Sequence, residues 1–141
     1  MAWQNPSDDL LRALLTDTRT IALVGASSNP ERSSHGIMRK LLQVGYRVIP
    51  VHPREAEILG QQAYATLDDI PEPVDLVNVF RRAEDTPPIA EAAVRIGAKV
   101  LWLQLGIASD EAARIAEAGG LQVVMDACIG TLHSLLRVPT K

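Results

Sequence analysis

A three-layer α/β fold, with a doubly wound and mostly parallel five-stranded sheet between two layers of helices, is what the sequence predicts. Two observations carry that expectation. Five short segments (residues 20–25, 47–51, 74–80, 99–104 and 122–125) are nearly continuous apolar runs, the mark of strands buried on both faces. Between them lie stretches with apolar residues at helical spacing. Strict alternation of strand and helix is how parallel pairing through right-handed crossovers reads in a sequence.

The elements follow in order. Ser7-Asp8-Asp9 ahead of Leu10, Leu11, Leu14 and Leu15 predicts a lead-in helix over about 7–16, with acidic residues at its positive end. The run TIALVG predicts a buried strand, and the loop 26–32 after it is rich in Ser, Asn and Pro. Ser33 or Ser34 then caps a helix carrying Ile37, Met38, Leu41, Leu42 and Val44, stopped by Gly45. RVIPV predicts the second strand. Pro50 sits awkwardly there, since a proline in a paired strand forfeits a ladder donor, so it is placed near the strand end with local disruption.

A crossover containing Gly60 and a capped turn at Thr66-Leu67-Asp68-Asp69-Ile70 lead to VDLVNVF, the third strand. Thr86-Pro87-Pro88 opens a helix that runs to Gly97, with prolines in the first turn where no donor is lost. KVLWLQ is the fourth strand. Ser109-Asp110-Glu111 starts a helix that stops at Gly119-Gly120; a fifth strand follows at 122–125 and a short helix at about 131–136. One Rossmann-like domain over residues 1–141 is the expected organisation.

Composition excludes several classes of function. The chain has 141 residues, 47% hydrophobic and 22% charged, with nine glycines and nine prolines. That length buries roughly 68–70% of the unfolded surface, enough for one core. A net charge of −3 argues against nucleic acid or an anionic membrane as a bulk partner. Cys128 is the single cysteine, which excludes an internal disulfide and fits a cytoplasmic setting. The start Met1-Ala2-Trp3 has no basic segment followed by an apolar run, so no signal peptide is expected, and no apolar run is long enough to span a bilayer.

In an open parallel sheet, ligands bind outside the carboxyl ends of the strands, where strand order reverses. That rule selects four loops: residues 25–33, His52-Pro53-Arg54, Arg81-Arg82 and Gln104-Leu105-Gly106. The first joins a strand to a helix N-terminus, where free amides and the helix dipole suit a phosphate, and Gly25 and Ala26 permit close approach. Ser27, Ser28 and Arg32 add donors. A G-x-G-x-x-G pattern is absent, because Ser27 and Pro30 stand at its later glycine positions.

NAD sites place Asp or Glu at the end of the second strand to hold the ribose diol. This chain has His52-Pro53-Arg54 and is read as offering no carboxylate there. A basic end suits a phosphorylated ribose, as in NADP or coenzyme A. One of Arg81 and Arg82 is expected to face the pocket and the other solvent, beside Glu84 and Asp85. Phe80 and Trp102 read as core. Gln104, polar at the end of a buried strand, either caps the sheet or meets a ligand. His35 is placed to touch a phosphate, whereas His52 can simply close a turn. Cys128 with Asp126 and His133 could be a thiol nucleophile with its base, but a lone buried cysteine usually behaves as a small hydrophobe.

The segments IALVGASSNPERSS, YRVIPVHP, PVDLVNVFRR, LWLQLGI and VVMDACIGTLH together resemble the small bacterial and archaeal CoA-binding proteins of the YccU-like group. Their domain is similar to the CoA-binding domain of the succinyl-CoA synthetase α subunit. The resemblance spans about residues 20–133. It implies that Gly25, Ala26, Ser27 and Ser28 lie along the diphosphate, with Arg32 assisting, and that His52, Pro53 and Arg54 approach the adenosine end. Phe80, Arg81, Gln104 and Gly106 would line the remainder. Relatives commonly carry Lys where this chain has Arg54 and Asn where it has His52. Succinyl-CoA synthetases hold their phosphorylated histidine in a further domain, so the resemblance extends to binding and not to catalysis.

The expected function is binding of coenzyme A or an acyl-CoA, without a catalytic apparatus, by a monomer or homodimer. The alternatives are an NADP-dependent oxidoreductase, or a redox sensor in which Cys128 forms a mixed disulfide with the CoA thiol.

Overall fold

The structure, a computed structural model, describes residues 3–141; Met1 and Ala2, which begin the segment read as lacking a signal peptide, lie outside the described residues. Five parallel strands form the central sheet: β1 (Thr20–Val24), β2 (Arg47–Val51), β5 (Leu76–Val79), β6 (Val100–Leu103) and β7 (Gln122–Val124). Their order is β2-β1-β5-β6-β7. The chain therefore steps outward from β1 to β2, then returns to the other side of β1 through β5. The reversal between β1 and β5 is the topological switch point.

Alternate residues of each strand feed two cores. Ala22, Val77, Leu101 and Val123 pack on one face against α3 (Thr86–Arg95) and α4 (Asp110–Ala118). Ile21, Leu76, Trp102 and Val124 pack on the other against α1 (Asp8–Asp17), α2 (Ser33–Gln43) and α5 (Ile129–Leu135). The fold is thus the three-layer, Rossmann-like α/β sandwich that the sequence predicts. Among the described residues no helix is long and apolar enough to cross a membrane.

Pro50 causes no disruption. Strand β2 is the sheet's edge, and Pro50 pairs in register with Leu23 while its carbonyl turns outward to accept the Tyr64 amide (3.1 Å). The missing donor therefore faces away from β1, the side on which an edge strand tolerates proline. Beyond it, β3 (Glu57–Ile58) and β4 (Gln61–Gln62) form a small antiparallel hairpin whose turn places Leu59 and Gly60 at positive φ.

Helix starts obey the sequence where a side chain can reach. Ser7 accepts from the Leu10 amide and Ser109 from the Ala112 amide. Helix α2 differs: Ser33 is its first residue, Arg32 stands at the cap, and no side chain caps it. Thr86 likewise does not cap α3; its hydroxyl donates to the Ala83 carbonyl, and Asp85 precedes the helix. The uncapped α2 matters for the site.

Candidate functional site

At the switch point, the loops that follow β1, β2, β5 and β6 surround a cleft of about 760 Å³. Gly25 turns the chain out of β1 at φ +87°, and its amide donates to the Val51 carbonyl. A Cβ at this position would lie 2.4 Å from the Phe80 carbonyl oxygen, so only glycine lets the first loop cross the end of β5. The loop's own contacts fix its shape. Ser27 Oγ accepts from the Asn29 amide, Asn29 Oδ1 accepts from the Glu31 amide, and the Ser27 carbonyl receives His35 Nδ1 (2.9 Å).

These contacts leave donors over. Among the described residues, the amides of Ala26, Ser27, Ser33 and Ser34 have no partner, and all four residues line the cleft. Two of them form the first turn of α2, where the missing cap leaves the positive end of the helix open. Arg32 lines the same wall and, among the described residues, has no carboxylate partner. The arrangement is a cradle for an anion.

The far wall is built from β6. Gln104 is buried at the strand end, and its Oε1 accepts from Asn78 Nδ2 (3.2 Å) and from the Ile129 amide (3.3 Å). It closes the end of the strand and also lines the cleft. Asn78 lies fully buried below it, with its Oδ1 unpaired. Asp126, at φ +53°, accepts the Gly106 amide (2.7 Å) and donates its own amide to the Ile107 carbonyl, lacing the loop after β7 to the loop after β6.

Ten of the twelve residues singled out from sequence come together along this cleft: Gly25, Ala26, Ser27, Arg32, His52, Pro53, Phe80, Arg81, Gln104 and Gly106. Ser28 and Arg54 do not line it. Ser28 donates through both its amide (3.2 Å) and its hydroxyl to Glu55, and Arg54 is exposed. His52 closes the turn, its Nδ1 accepting the amides of Arg54 (3.0 Å) and Glu55 (2.9 Å). The second-strand loop therefore does offer a carboxylate, one residue past the three considered in the sequence. The Ser28 hydroxyl holds Glu55 below the usual carboxylate range.

Further expectations change in the structure. Arg81 and Arg82 both line the cleft, and both face the Glu84–Asp85 pair: Arg81 lies 3.7 Å from Asp85, and Arg82 lies 3.4 Å from each carboxylate. Phe80 is half-buried against the core and lines the cleft as well. His35 is buried, spanning the Ser27 carbonyl and Arg39 (3.1 Å), and so shapes the loop from behind.

The trio at residues 126–133 is not assembled. Asp126 serves Gly106, while His133 packs edge-on against the Tyr46 ring, with its Nε2 unpaired. Burial, helped by Lys40 and Lys141, holds His133 below its ordinary value. Burial raises the Cys128 thiol, but hydrogen bonds from Thr131, Gln104 and the Gly130 amide bring it below its ordinary value overall.

Sequence reasoning missed a second compartment of about 390 Å³, which shares Gly25, Pro53 and Arg81 with the first. Val24, Val51, Leu67, Ile89 and Ala92 make its walls apolar, and the Asp68–Arg95 ion pair (2.9 Å) stands at its rim. Its walls come from β1, β2, the 3-10 turn Leu67–Asp69 and α3, elements far apart in sequence. The only available signal was the position of Pro88 and Ile89 in the first turn of α3.

Fold and site together define a Rossmann-like protein with a cleft at the switch point, lined by unpaired amides and adjoining an apolar compartment. Residues 19–134 match the family described as CoA binding domain, and the chain belongs to that family. It is 39% identical over 134 residues to the uncharacterized protein YneT of Bacillus subtilis, covering 95% of this chain and 99% of that one. A hypothetical protein from Pyrococcus horikoshii has the same fold, with a TM-score of 0.91 and 37% identity over 97% of this chain and 99% of its own. The α subunit of the ADP-forming acetate–CoA ligase I of Pyrococcus furiosus is 30% identical over 93 residues, 62% of this chain but 20% of that longer protein.

Proposed function

We propose that this protein binds coenzyme A or an acyl-CoA in the switch-point cleft and carries out no chemistry on it. The observation that supports this most is the pairing of two unlike compartments through Gly25, Pro53 and Arg81. Coenzyme A is a long ligand with a heterocycle at one end, a diphosphate near it and an amide-linked arm beyond. The apolar compartment accepts the adenine between Val51, Pro53 and Ile89. The unpaired amides of Ala26, Ser27, Ser33 and Ser34, with Arg32, take the diphosphate. The arm then runs over Phe80 towards Gln104 and Leu105. Membership of the CoA binding domain family supports the choice of ligand over other nucleotides.

A dinucleotide oxidoreductase fits less well. The first loop lacks the glycine fingerprint, and a substrate and its acid–base group would need a site for which the dispersed Asp126 and His133 offer no constellation. A thermal-shift titration with CoA, dephospho-CoA, NADP and NAD tests the reading. Ligand at about 100 times its dissociation constant adds about 2.7 kcal/mol, a rise of roughly 8–13 °C at roughly 3–5 °C per kcal/mol. The rise is expected with CoA. A rise with NADP alone would replace this function with the oxidoreductase.

A further inference from the structure

The carboxylate at the end of the second strand has a geometry that a solvated surface charge would not need. Glu55 uses both oxygens on one residue, accepting the Ser28 amide at Oε2 (3.2 Å) and the Ser28 hydroxyl at Oε1. The backbone that delivers it is shaped for the purpose, since His52 Nδ1 gathers the amides of Arg54 and Glu55 and its Nε2 lies 3.8 Å from Glu55. The contact joins two walls of the cleft: Ser27, next to Ser28, lines one, and His52 and Pro53 line the other. Arg54, which is exposed and has no ion-pair partner among the described residues, is left outside.

We propose that Glu55 is the specificity-determining residue at the ribose end of the cleft, a clasp that binds Ser28 in the free protein and disfavours a phosphorylated ribose. The inference rests on the coenzyme A reading of the cleft. A carboxylate accepts hydrogen bonds from ribose hydroxyls, but it repels a phosphate monoester placed beside it, and like charges within a few ångströms cost most at low ionic strength. An anionic ligand gains the Ser28 donors only by displacing Glu55. The clasp therefore works against the 3′-phosphate of coenzyme A, while Arg54, once the clasp opens, works for it. The balance between these two neighbours sets how strongly the protein distinguishes CoA from dephospho-CoA.

The test measures dissociation constants of CoA and dephospho-CoA by calorimetry at low and high salt, for the wild type, Glu55→Gln and Ser28→Ala. Glu55→Gln removes the charge but keeps an acceptor for Ser28. It is expected to raise the preference for CoA over dephospho-CoA by about tenfold at low salt, with most of that gain lost at high salt. Ser28→Ala keeps the charge, so it is expected to leave the preference within about twofold of wild type. An unchanged preference in Glu55→Gln, with both ligands bound, would overturn the role of Glu55 and leave the coenzyme A reading standing. A change of the same size at both salt concentrations would overturn the electrostatic basis. Failure of wild type and variant alike to bind either ligand would overturn the coenzyme A reading, and the clasp's role in selectivity with it.

Discussion

The centre of the cleft and its edge are held in different ways. At the centre, Gly25 lies against the Phe80 backbone, and Gln104 is buried with both its acceptor sites filled from Asn78 and Ile129. These contacts are made by groups that cannot move without disturbing the core. At the edge, residues 52–55 are shaped by His52 and tied down by Glu55, whose side chain is about a third exposed. The difference teaches that binding and folding are inseparable at the centre, whereas the edge is free to tune selectivity at little cost in stability. Substitutions can break or sharpen that contrast.

Gly25→Val should have the largest effect. It forces a Cβ onto the Phe80 carbonyl and a branched residue into positive φ, for a loss of about 3 kcal/mol or more, with CoA binding lost as well. Denaturant unfolding and calorimetry would check both. A stable variant that still bound CoA would show that the first loop does not need its close crossing of β5.

Gln104→Leu comes next. It strips the acceptor from two buried donors, Asn78 Nδ2 and the Ile129 amide, at a cost of about 1–3 kcal/mol. A fall of roughly 3–15 °C in Tm is expected. Asp126→Ala removes the contact with Gly106 and leaves a non-glycine residue at φ +53°; a loss of about 1 kcal/mol is expected from the same measurement.

The edge should behave otherwise. Arg54→Glu is expected to leave stability within about 0.5 kcal/mol, because the side chain is exposed, but to weaken CoA more than dephospho-CoA. Equal weakening of both ligands would remove Arg54 from the ribose end.

The smallest effect is a pH dependence on the face away from the cleft. His133 titrates below its ordinary 6.5 because burial, Lys40 and Lys141 all disfavour its charge. The unfolded chain therefore takes up the proton first. Stability from this residue is complete above about pH 6.5 and is lost as pH falls through the lower, folded value. Glu55, Asp68 and Glu72, all held below the ordinary carboxylate range, lose their contributions only at more acidic pH. Unfolding midpoints should decline in two stages on acidification. His133→Gln should lack the first stage; an unchanged profile in that variant would contradict the assignment.

The sequence disclosed what is local and periodic. Among the described residues, the five strands of the sheet and the five α-helices read correctly, because apolar runs and helical stripes each report one element at a time. The rule that ligands sit at strand ends then chose loops that do converge. What stayed hidden depends on neighbours distant in the chain. Pro50 is harmless only because β2 is an edge, which no local pattern reveals. The first turn of α2 has two serines and still no side-chain cap, because both fall inside the helix. The Glu55–Ser28 contact is invisible in the sequence because it forms only when the second-strand loop folds back onto the first. The apolar compartment is assembled from β1, β2 and α3, so it belongs to no single motif.

Amide hydrogen exchange with and without CoA tests the central claim most directly, since it reads where the ligand sits as well as whether it binds. The account predicts slowed exchange at residues 25–27, 32–34 and 104–107, with the buried face around Tyr46 and His133 unaffected. Unchanged exchange in those three segments at saturating CoA, or protection confined to the face around Tyr46 and His133, would contradict it.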